Sequence, residues 1–220
     1  MTQKDINNGQ AFISFAVEKN VIQFGEFTLK SKRVAPYFFN TSLFHDGQSL
    51  EQLSRFYAEA IVQAKLGADM LFGPAYKGIP LVAAVAMTLA REHGINLPYA
   101  FNRKEAKQYG DQGSIVGAPL QGRVLIVDDV LTAGTAVDEA VSIIRGHGAQ
   151  PQGVVIAFDR KEWGATQGQL ATDEVRQRHG IEVFSVATIE DLIEHAGTSA
   201  CEPEQIERIR TYLQTFGKLA

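Results

Sequence analysis

The sequence predicts an α/β protein built on a central, mainly parallel β-sheet with helices on both faces. Strand-like and helix-like segments alternate along most of the chain. The strands are runs of Val, Ile and Leu rather than alternations of apolar and polar residues, which is typical of parallel strands covered on both faces. A length of 220 residues with 45% hydrophobic content suffices for one domain, residues 1–220, with a full core.

Composition narrows the classes of site and partner. The single cysteine, Cys201, excludes an internal disulfide and fits a reducing compartment. The polar N-terminus lacks a signal peptide, and no apolar run approaches the roughly 20 residues of a membrane span, so we expect a cytoplasmic protein without a membrane partner. The net charge of −4 gives no general attraction for nucleic acid. An anionic ligand must therefore be bound by local clusters of Lys and Arg.

The N-terminal residues, about 1–48, predict a small hood on the core. Short β-like pieces occur at residues 21–24, 27–29 and 37–40, and Gly25 and Pro36 separate them. We therefore expect short strands there.

The core, about residues 49–220, begins with a predicted helix. Ser49 and Gln52 form a capping-box pattern, apolar residues recur at helical spacing, and Gly67 ends the helix. A strand, a helix, two strands, a helix, two strands and two terminal helices are then expected at residues 69–72, 81–93, 99–102, 123–130, 135–147, 154–159, 182–187, 189–195 and 203–216.

Residues 103–120 predict a mobile lid. The segment contains three glycines and few apolar residues, and it shows no helix or strand period. Loops of this length inside compact domains are usually lids or disordered segments. Arg103, Lys104 and Lys107 cluster at its start. Because disorder alone does not explain that cluster, we interpret the segment as a lid that covers an anionic ligand.

Two adjacent acids, Asp128 and Asp129, follow the strand VLIV. Ligands of parallel sheets bind at the carboxyl ends of strands. A turn of small residues, 132–135, then leads into a helix whose free N–H groups can bind phosphate. Carboxylates beside a phosphate suit sugar hydroxyls and a carbon that becomes positive in the transition state. Paired acids also occur in phosphatases and receiver domains, but neither a P-loop nor a dinucleotide-binding motif is present.

Five blocks of sequence resemble the type I phosphoribosyltransferases, and among them the orotate phosphoribosyltransferases. They are the strand, acids and turn of residues 124–137, GEFTLKSKRVAPYFFN (25–40), LFGPAYKGIPL (71–81), FNRKEAK (101–107) and AFDRKEWG (157–164). The resemblance spans about residues 12–216. It implies the type I phosphoribosyltransferase fold and magnesium-dependent transfer of a phosphoribosyl group from 5-phosphoribosyl 1-diphosphate (PRPP) to orotate. The products would be orotidine 5′-monophosphate and diphosphate, in pyrimidine biosynthesis.

The resemblance also implies residue roles. Asp128 and Asp129 would face the ribose hydroxyls, and together with Arg103 and Lys107 they form the expected catalytic set. The 5′-phosphate would contact Val130, Leu131, Thr132, Ala133, Gly134, Thr135 and Ala136. Further PRPP contacts would come from Lys30, Tyr76, Lys77, Arg103, Lys104, Lys107 and Tyr109. Orotate would contact Phe38, Phe39, Thr132 and Arg160, whose planar fork suits a carboxylate or ring carbonyls.

The family pattern implies Mg²⁺ held mainly by the substrate, without a dedicated protein cage, and a homodimer whose lids reach the neighbouring site. One departure concerns the lid, where the usual Lys-Asp-His-Gly-Glu is replaced by Lys107, Gln108, Tyr109, Gly110 and Asp111. A phenol cannot carry positive charge to the leaving group. Magnesium diphosphate leaves well without a proton, so we predict an active enzyme whose rate varies little between about pH 5.5 and 7.5.

Two alternatives share the PRPP signature. A purine phosphoribosyltransferase would need another base pocket, and the lid motif, the Phe38–Phe39 pair and Arg160 argue against it. A PRPP-sensing regulator is supported by Tyr109, but the sequence shows no basic DNA-binding segment.

Overall fold

A computed structural model describes residues 8–29, 32–107, 113–131, 134–195 and 202–219, and at residues 106, 107, 113 and 195 it describes the backbone alone. Fifteen helices and strands and one short 3₁₀ helix are found in these residues. In chain order they are α1 (Asn8–Glu18), β1 (Ile22–Thr28), β2 (Val34–Phe39), the 3₁₀ helix (Thr41–Leu43), α2 (Gly47–Ala64), β3 (Met70–Gly73), α3 (Gly78–His93), β4 (Tyr99–Lys107), β5 (Gly113–Gly117), β6 (Arg123–Val127), α4 (Thr135–Gly146), β7 (Gln150–Asp159), α5 (Ala171–His179), β8 (Glu182–Thr188), α6 (Ile189–His195) and α7 (Pro203–Phe216).

The central sheet has six strands in the order β5-β4-β3-β6-β7-β8. Every neighbouring pair is parallel except β4 and β5. Alternate residues of one strand enter different cores: Leu125 of β6 packs in one hydrophobic cluster with α2 and α3, and Ile126 packs in a second cluster with α4. Both faces are therefore covered, which confirms the predicted sheet and explains its unbroken apolar strands.

The N-terminal residues differ from the prediction in two ways. The two pieces expected at 21–24 and 27–29 form one strand, β1, which pairs antiparallel with β2 and has an irregularity between Phe24 and Phe27. A helix, α1, precedes it and was not predicted. It buries Phe12 and Ile13 and contacts β8 and α6. These long-range contacts stabilise the helix, and the sequence pattern of the hood did not reveal them.

The segment after residue 102 corrects a second prediction. β4 continues to Lys107, and β5 returns antiparallel to it, with Phe101 opposite Val116. The prediction that residues 103–120 contain no strand is therefore wrong at residues 103–107 and 113–117. The hairpin lies at an edge of the sheet, where strands commonly carry charged side chains. Because Arg103, Lys104 and Glu105 are charged, the segment lacks the apolar pattern by which a strand is recognised.

Local signals at α2 were also misread. The helix begins at Gly47, where the Asp46 carboxylate accepts a hydrogen bond from the Ser49 amide at 2.9 Å, so Asp46 rather than Ser49 is the cap. It ends at Ala64 with Lys65 in a left-handed conformation, before Gly67. The helix α5 was missed because it is polar and buries only three residues, Thr172, Glu174 and Val175.

Candidate functional site

Asp128 lies directly after β6, at the carboxyl edge of the sheet. Its carboxylate accepts a hydrogen bond from the Asp129 amide at 2.9 Å, and its carbonyl accepts one from the buried Tyr57 hydroxyl at 2.7 Å. Asp128 is only 5% exposed. Burial, reinforced by the neighbouring Asp129 carboxylate, raises the pKa of Asp128 to about 7. Its charge state therefore changes within the physiological range.

Asp129 is held by a different set of partners. One oxygen accepts from the Val130 amide at 2.8 Å. The other accepts from Thr41 Oγ1 and from Lys77 Nζ, each at 2.7 Å. Lys77 Nζ also donates to Thr41 Oγ1 at 2.9 Å, which closes a triangle of polar contacts. Sequence analysis missed Thr41, since it lies 88 residues from Asp129 and has no motif of its own.

Lys77 belongs to a tight loop between β3 and α3. A Cβ on Gly73 would lie 2.2 Å from the Gly78 carbonyl oxygen, so the two ends of the loop touch. The Ala75 amide donates to Asn102 Oδ1 at 2.8 Å, which ties the loop to β4. Tyr76 is 71% exposed. Asn102 is buried, at 2% exposed, and supports this loop. Like Thr41, it was not among the site residues predicted from the sequence motifs.

The predicted phosphate turn begins beside these acids. Val130 bridges to Phe158 of β7, and Leu131 is buried. Gly134 has a φ of 79° and precedes the first residue of α4, so the helix N-terminus opens at this edge of the sheet. Thr135 and Ala136 form the exposed first turn of α4, while Thr132 and Ala133 lie outside the described residues.

The lid cations start beside the same helix. Lys104 Nζ contacts the Glu139 carboxylate of α4 at 2.9 Å. Arg103 lies next to it in β4, and the backbone of Lys107 ends that strand. The Lys107 side chain, Tyr109 and Lys30 fall outside the described residues, so their predicted roles stay predictions.

The two predicted aromatic residues lie on opposite faces of β2, as neighbours on a strand must. Phe39 is 6% exposed and stacks on Phe158 with ring centroids 4.9 Å apart. Phe38 stacks on Phe27 instead, at 5.6 Å. The two rings therefore do not line one pocket from the same face of β2: the Phe39 side chain belongs to the core, and the predicted contacts of Phe38 and Phe39 with orotate stay predictions.

Arg160 follows β7 and has a buried partner. Its guanidinium NH2 donates to Glu162 Oε2 at 2.7 Å, with the Arg160 and Glu162 side chains 19% and 7% exposed. After the ligands that the sequence predicts for them, two groups of residues are named below. The ribose-phosphate end is Asp128, Asp129, Lys77 and the turn to α4, and the base end is Phe38, Phe39, Arg160 and Glu162. β6 and β7 are neighbours, so the two ends share one sheet edge.

Within the described ranges, no group of three or more His, Cys, Asp or Glu residues could hold a metal ion. The same residues include no helix that is long and apolar enough to span a membrane.

Comparison with known proteins decides the family. The phosphoribosyl transferase domain matches residues 40–175. A curated orotate phosphoribosyltransferase of Thioalkalivibrio sulfidiphilus is 52% identical over 206 residues, which cover 94% of this chain and 96% of the relative. The chain belongs to the orotate phosphoribosyltransferase family. It is therefore an enzyme of the phosphoribosyltransferase class, and the resemblance and type I fold inferred from sequence are confirmed.

Other members of the family agree. The orotate phosphoribosyltransferase of Salmonella newport is 51% identical over 207 residues, again 94% of this chain and 96% of the relative. The crystal structure of orotate phosphoribosyltransferase from Francisella tularensis superposes with a TM-score of 0.85 at 41% identity, covering 94% of this chain and all of that one. The similarity therefore extends over nearly the whole chain.

Proposed function

We propose that this enzyme transfers the phosphoribosyl group of PRPP to orotate, forming orotidine 5′-monophosphate and diphosphate in pyrimidine biosynthesis. The observation that carries the proposal is the pair Asp128–Asp129 beside the N-terminus of α4, with the Arg160 guanidinium at the end of the neighbouring strand. This arrangement offers acceptors for sugar hydroxyls, donors for a phosphate, and a planar cation for an acidic base. A sugar phosphate and a carboxylated pyrimidine require these three features together.

At the ribose-phosphate end, PRPP binding exchanges hydrogen-bond partners. The ribose hydroxyls donate to Asp129 in place of Thr41 and Lys77. The freed Lys77 ammonium then reaches a phosphate oxygen. The exchange is inexpensive, because the Lys77 side chain is 53% exposed and ion pairs of that kind contribute at most about 1 kcal/mol.

During transfer, the bond from the anomeric carbon to diphosphate breaks, a bond to orotate nitrogen forms, and the proton of that nitrogen passes to the released diphosphate or to solvent. The carbon becomes positive as the leaving group departs. The fixed carboxylates of Asp128 and Asp129 stabilise that charge without reorganising, since backbone amides already hold them. Arg103, Lys104 and Lys107 carry positive charge to the departing diphosphate from the β4–β5 hairpin.

Mg²⁺ fits this donor set. Magnesium commonly takes one or two carboxylates together with substrate phosphates, and Asp128 and Asp129 supply carboxylates beside the proposed diphosphate position. When bound, Mg²⁺ would supply positive charge that offsets the phosphate charge. We propose that the substrate supplies most of its ligands, so the protein itself needs no dedicated cage.

The lid completes the proposal. Closure of residues 103–120 over the site would exclude water from the reactive ribose. In a homodimer, each lid would reach the neighbouring site. Tyr109 would donate a neutral hydrogen bond to diphosphate, while the lid cations supply the charge.

The test is loss of the near-ultraviolet absorbance of orotate when the protein is mixed with PRPP and Mg²⁺. We expect consumption of orotate that requires both PRPP and Mg²⁺. Hypoxanthine and uracil in place of orotate, and a reaction without base, serve as controls for diphosphate release. Turnover with hypoxanthine but not with orotate would show that the substrate is a purine base. PRPP binding without turnover of any base would indicate a regulator.

A further inference from the structure

Glu162 is a buried acid to which the proposed reaction assigns no task. The residue is 8% exposed and follows β7 by three positions. Removing a carboxylate from water costs several kcal/mol unless partners replace the water. Each of its oxygens has such a partner. Glu162 Oε2 accepts from Arg160 at 2.7 Å, and Glu162 Oε1 accepts from the Tyr37 hydroxyl at 3.2 Å.

Tyr37 joins the hood to this pair. It lies on β2, 125 residues before Glu162 in sequence, and is 2% exposed. Its ring contacts Phe158 edge-on with centroids 6.5 Å apart, so the phenol cannot rotate freely. The hydroxyl thus fixes one Glu162 oxygen and leaves the other to Arg160.

The backbone around Glu162 is anchored by the segment that follows α7. Glu162 forms an antiparallel bridge with Gly217, the Trp163 amide donates to the Phe216 carbonyl at 2.8 Å, and the Lys218 amide donates to the Lys161 carbonyl at 2.9 Å. A Cβ on Gly217 would lie 2.4 Å from the Lys161 carbonyl oxygen, so the two segments are in close contact. The backbone on both sides of Glu162 is therefore held in place.

We propose that Glu162 is a positioning residue for the base: with Tyr37 behind it, it holds the Arg160 guanidinium in one orientation. The inference rests on the proposed function, since it assumes that Arg160 binds orotate. An arginine side chain without such a partner would lose conformational entropy when the base binds. The Arg160 side chain is already held in one conformation by Glu162, so that cost of binding is smaller. Glu162 also neutralises much of the Arg160 charge. Negative charge alone is then not enough for tight binding, and a ligand must also match the hydrogen-bond geometry of the planar guanidinium.

The test compares Glu162→Gln with Glu174→Gln. Glu174 is a matched control because it is also 8% exposed, and its carboxylate accepts backbone hydrogen bonds from Ala165 and Thr166. Both variants lose a buried charge, but only Glu162 faces Arg160. We expect Glu162→Gln to raise KM for orotate roughly 10- to 100-fold, the effect of a lost charged hydrogen bond, with KM for PRPP within threefold. Glu174→Gln should leave both KM values within threefold of wild type.

Tyr37→Phe guards against a Glu162 variant that fails to fold. It keeps the ion pair and removes only the second restraint, which acts on Arg160 indirectly through Glu162, so KM for orotate should rise by less than in Glu162→Gln, about 3- to 10-fold. Calorimetric titration with orotate should show the same loss of affinity. Unchanged KM for orotate in both variants, or equal changes in KM for orotate and PRPP, would overturn the positioning role while the transferase stands. A wild-type protein that neither binds nor consumes orotate would overturn both proposals.

Discussion

The two ends of the candidate site hold their charges in opposite ways. At the ribose-phosphate end, Asp129 is paired with Lys77, whose side chain is 53% exposed. At the base end, Arg160 is paired with Glu162, and the two side chains are 19% and 7% exposed. The first pair is open to solvent, and the second is largely enclosed by the fold. Under the proposed reaction, PRPP would rearrange its end of the site, and the end proposed for the base would be preformed.

The largest effect that would separate the two ends is expected for Asp129→Asn. The substitution removes the negative charge facing the proposed ribose but keeps the side-chain shape. We expect kcat/KM for PRPP to fall by roughly 10²- to 10³-fold, the usual effect of removing one preorganised electrostatic contact. Steady-state kinetics with each substrate varied would measure it. An equally large rise in KM for orotate would show that the two ends are not independent.

The next effect concerns Asp128 and pH. Its pKa is raised by burial and by Asp129 from its usual 3.8 to about 7. The stability it contributes is therefore present below about pH 4 and is lost as pH rises through about 7. The Asp128→Asn variant has no group to ionise at this position, so its free energy of unfolding should not fall in this way. At pH 8 it should exceed that of wild type by on the order of a few kcal/mol, and at pH 4 the two values should be similar. Thermal melts across this range measure the difference, and a gap in melting temperature that does not change with pH would contradict it.

The same ionisation refines the flat pH profile expected from the lid. That expectation considered only the absent lid histidine, whereas Asp128 adds a group that titrates in the same range. We expect kcat/KM for PRPP, which reports the free enzyme, to rise with pH through about 7, and kcat to stay flat. A kcat that follows a group near pH 6.5 would instead indicate a proton donor in the complex.

The smallest effect is expected at Thr41. Thr41→Val removes the hydroxyl that bridges Lys77 and Asp129 while keeping the branched shape. Loss of about 0.5–1.5 kcal/mol from the ligand-free arrangement should tighten PRPP binding roughly 2- to 10-fold. Ser42→Ala, in the same 3₁₀ helix, is the control. Weaker PRPP binding would mean that Thr41 supports the bound state instead.

Sequence patterns located the ribose-phosphate end better than the base end. Asp128, Asp129 and the turn to Gly134 are contiguous in the chain, so a strand, two acids and small residues suffice to find them. Thr41 and Asn102 reach the same place from distant segments and left no local signal. At the base end, Arg160 was identified by resemblance, but Glu162 and Tyr37 were not, because their partnership spans 125 residues.

The fold shows the same division. Unbroken apolar strands and glycine-terminated helices predicted the parallel sheet, because these signals act within one segment. The helix α1, the polar helix α5 and the β4–β5 hairpin escaped prediction, since long-range packing or edge pairing stabilises them.

By itself, the sequence determined the α/β class, the family, and the position of the two acids and of the small-residue turn that follows them, because each depends on neighbouring residues. The tertiary structure alone decided which face of β2 Phe39 occupies, what neutralises Arg160, and that Lys77 rests on Asp129. The contacts Phe39–Phe158 and Lys77–Asp129 join residues that are far apart in sequence. Arg160 and Glu162 are only two residues apart, but the strength of their ion pair depends on burial and distance, which local patterns do not encode.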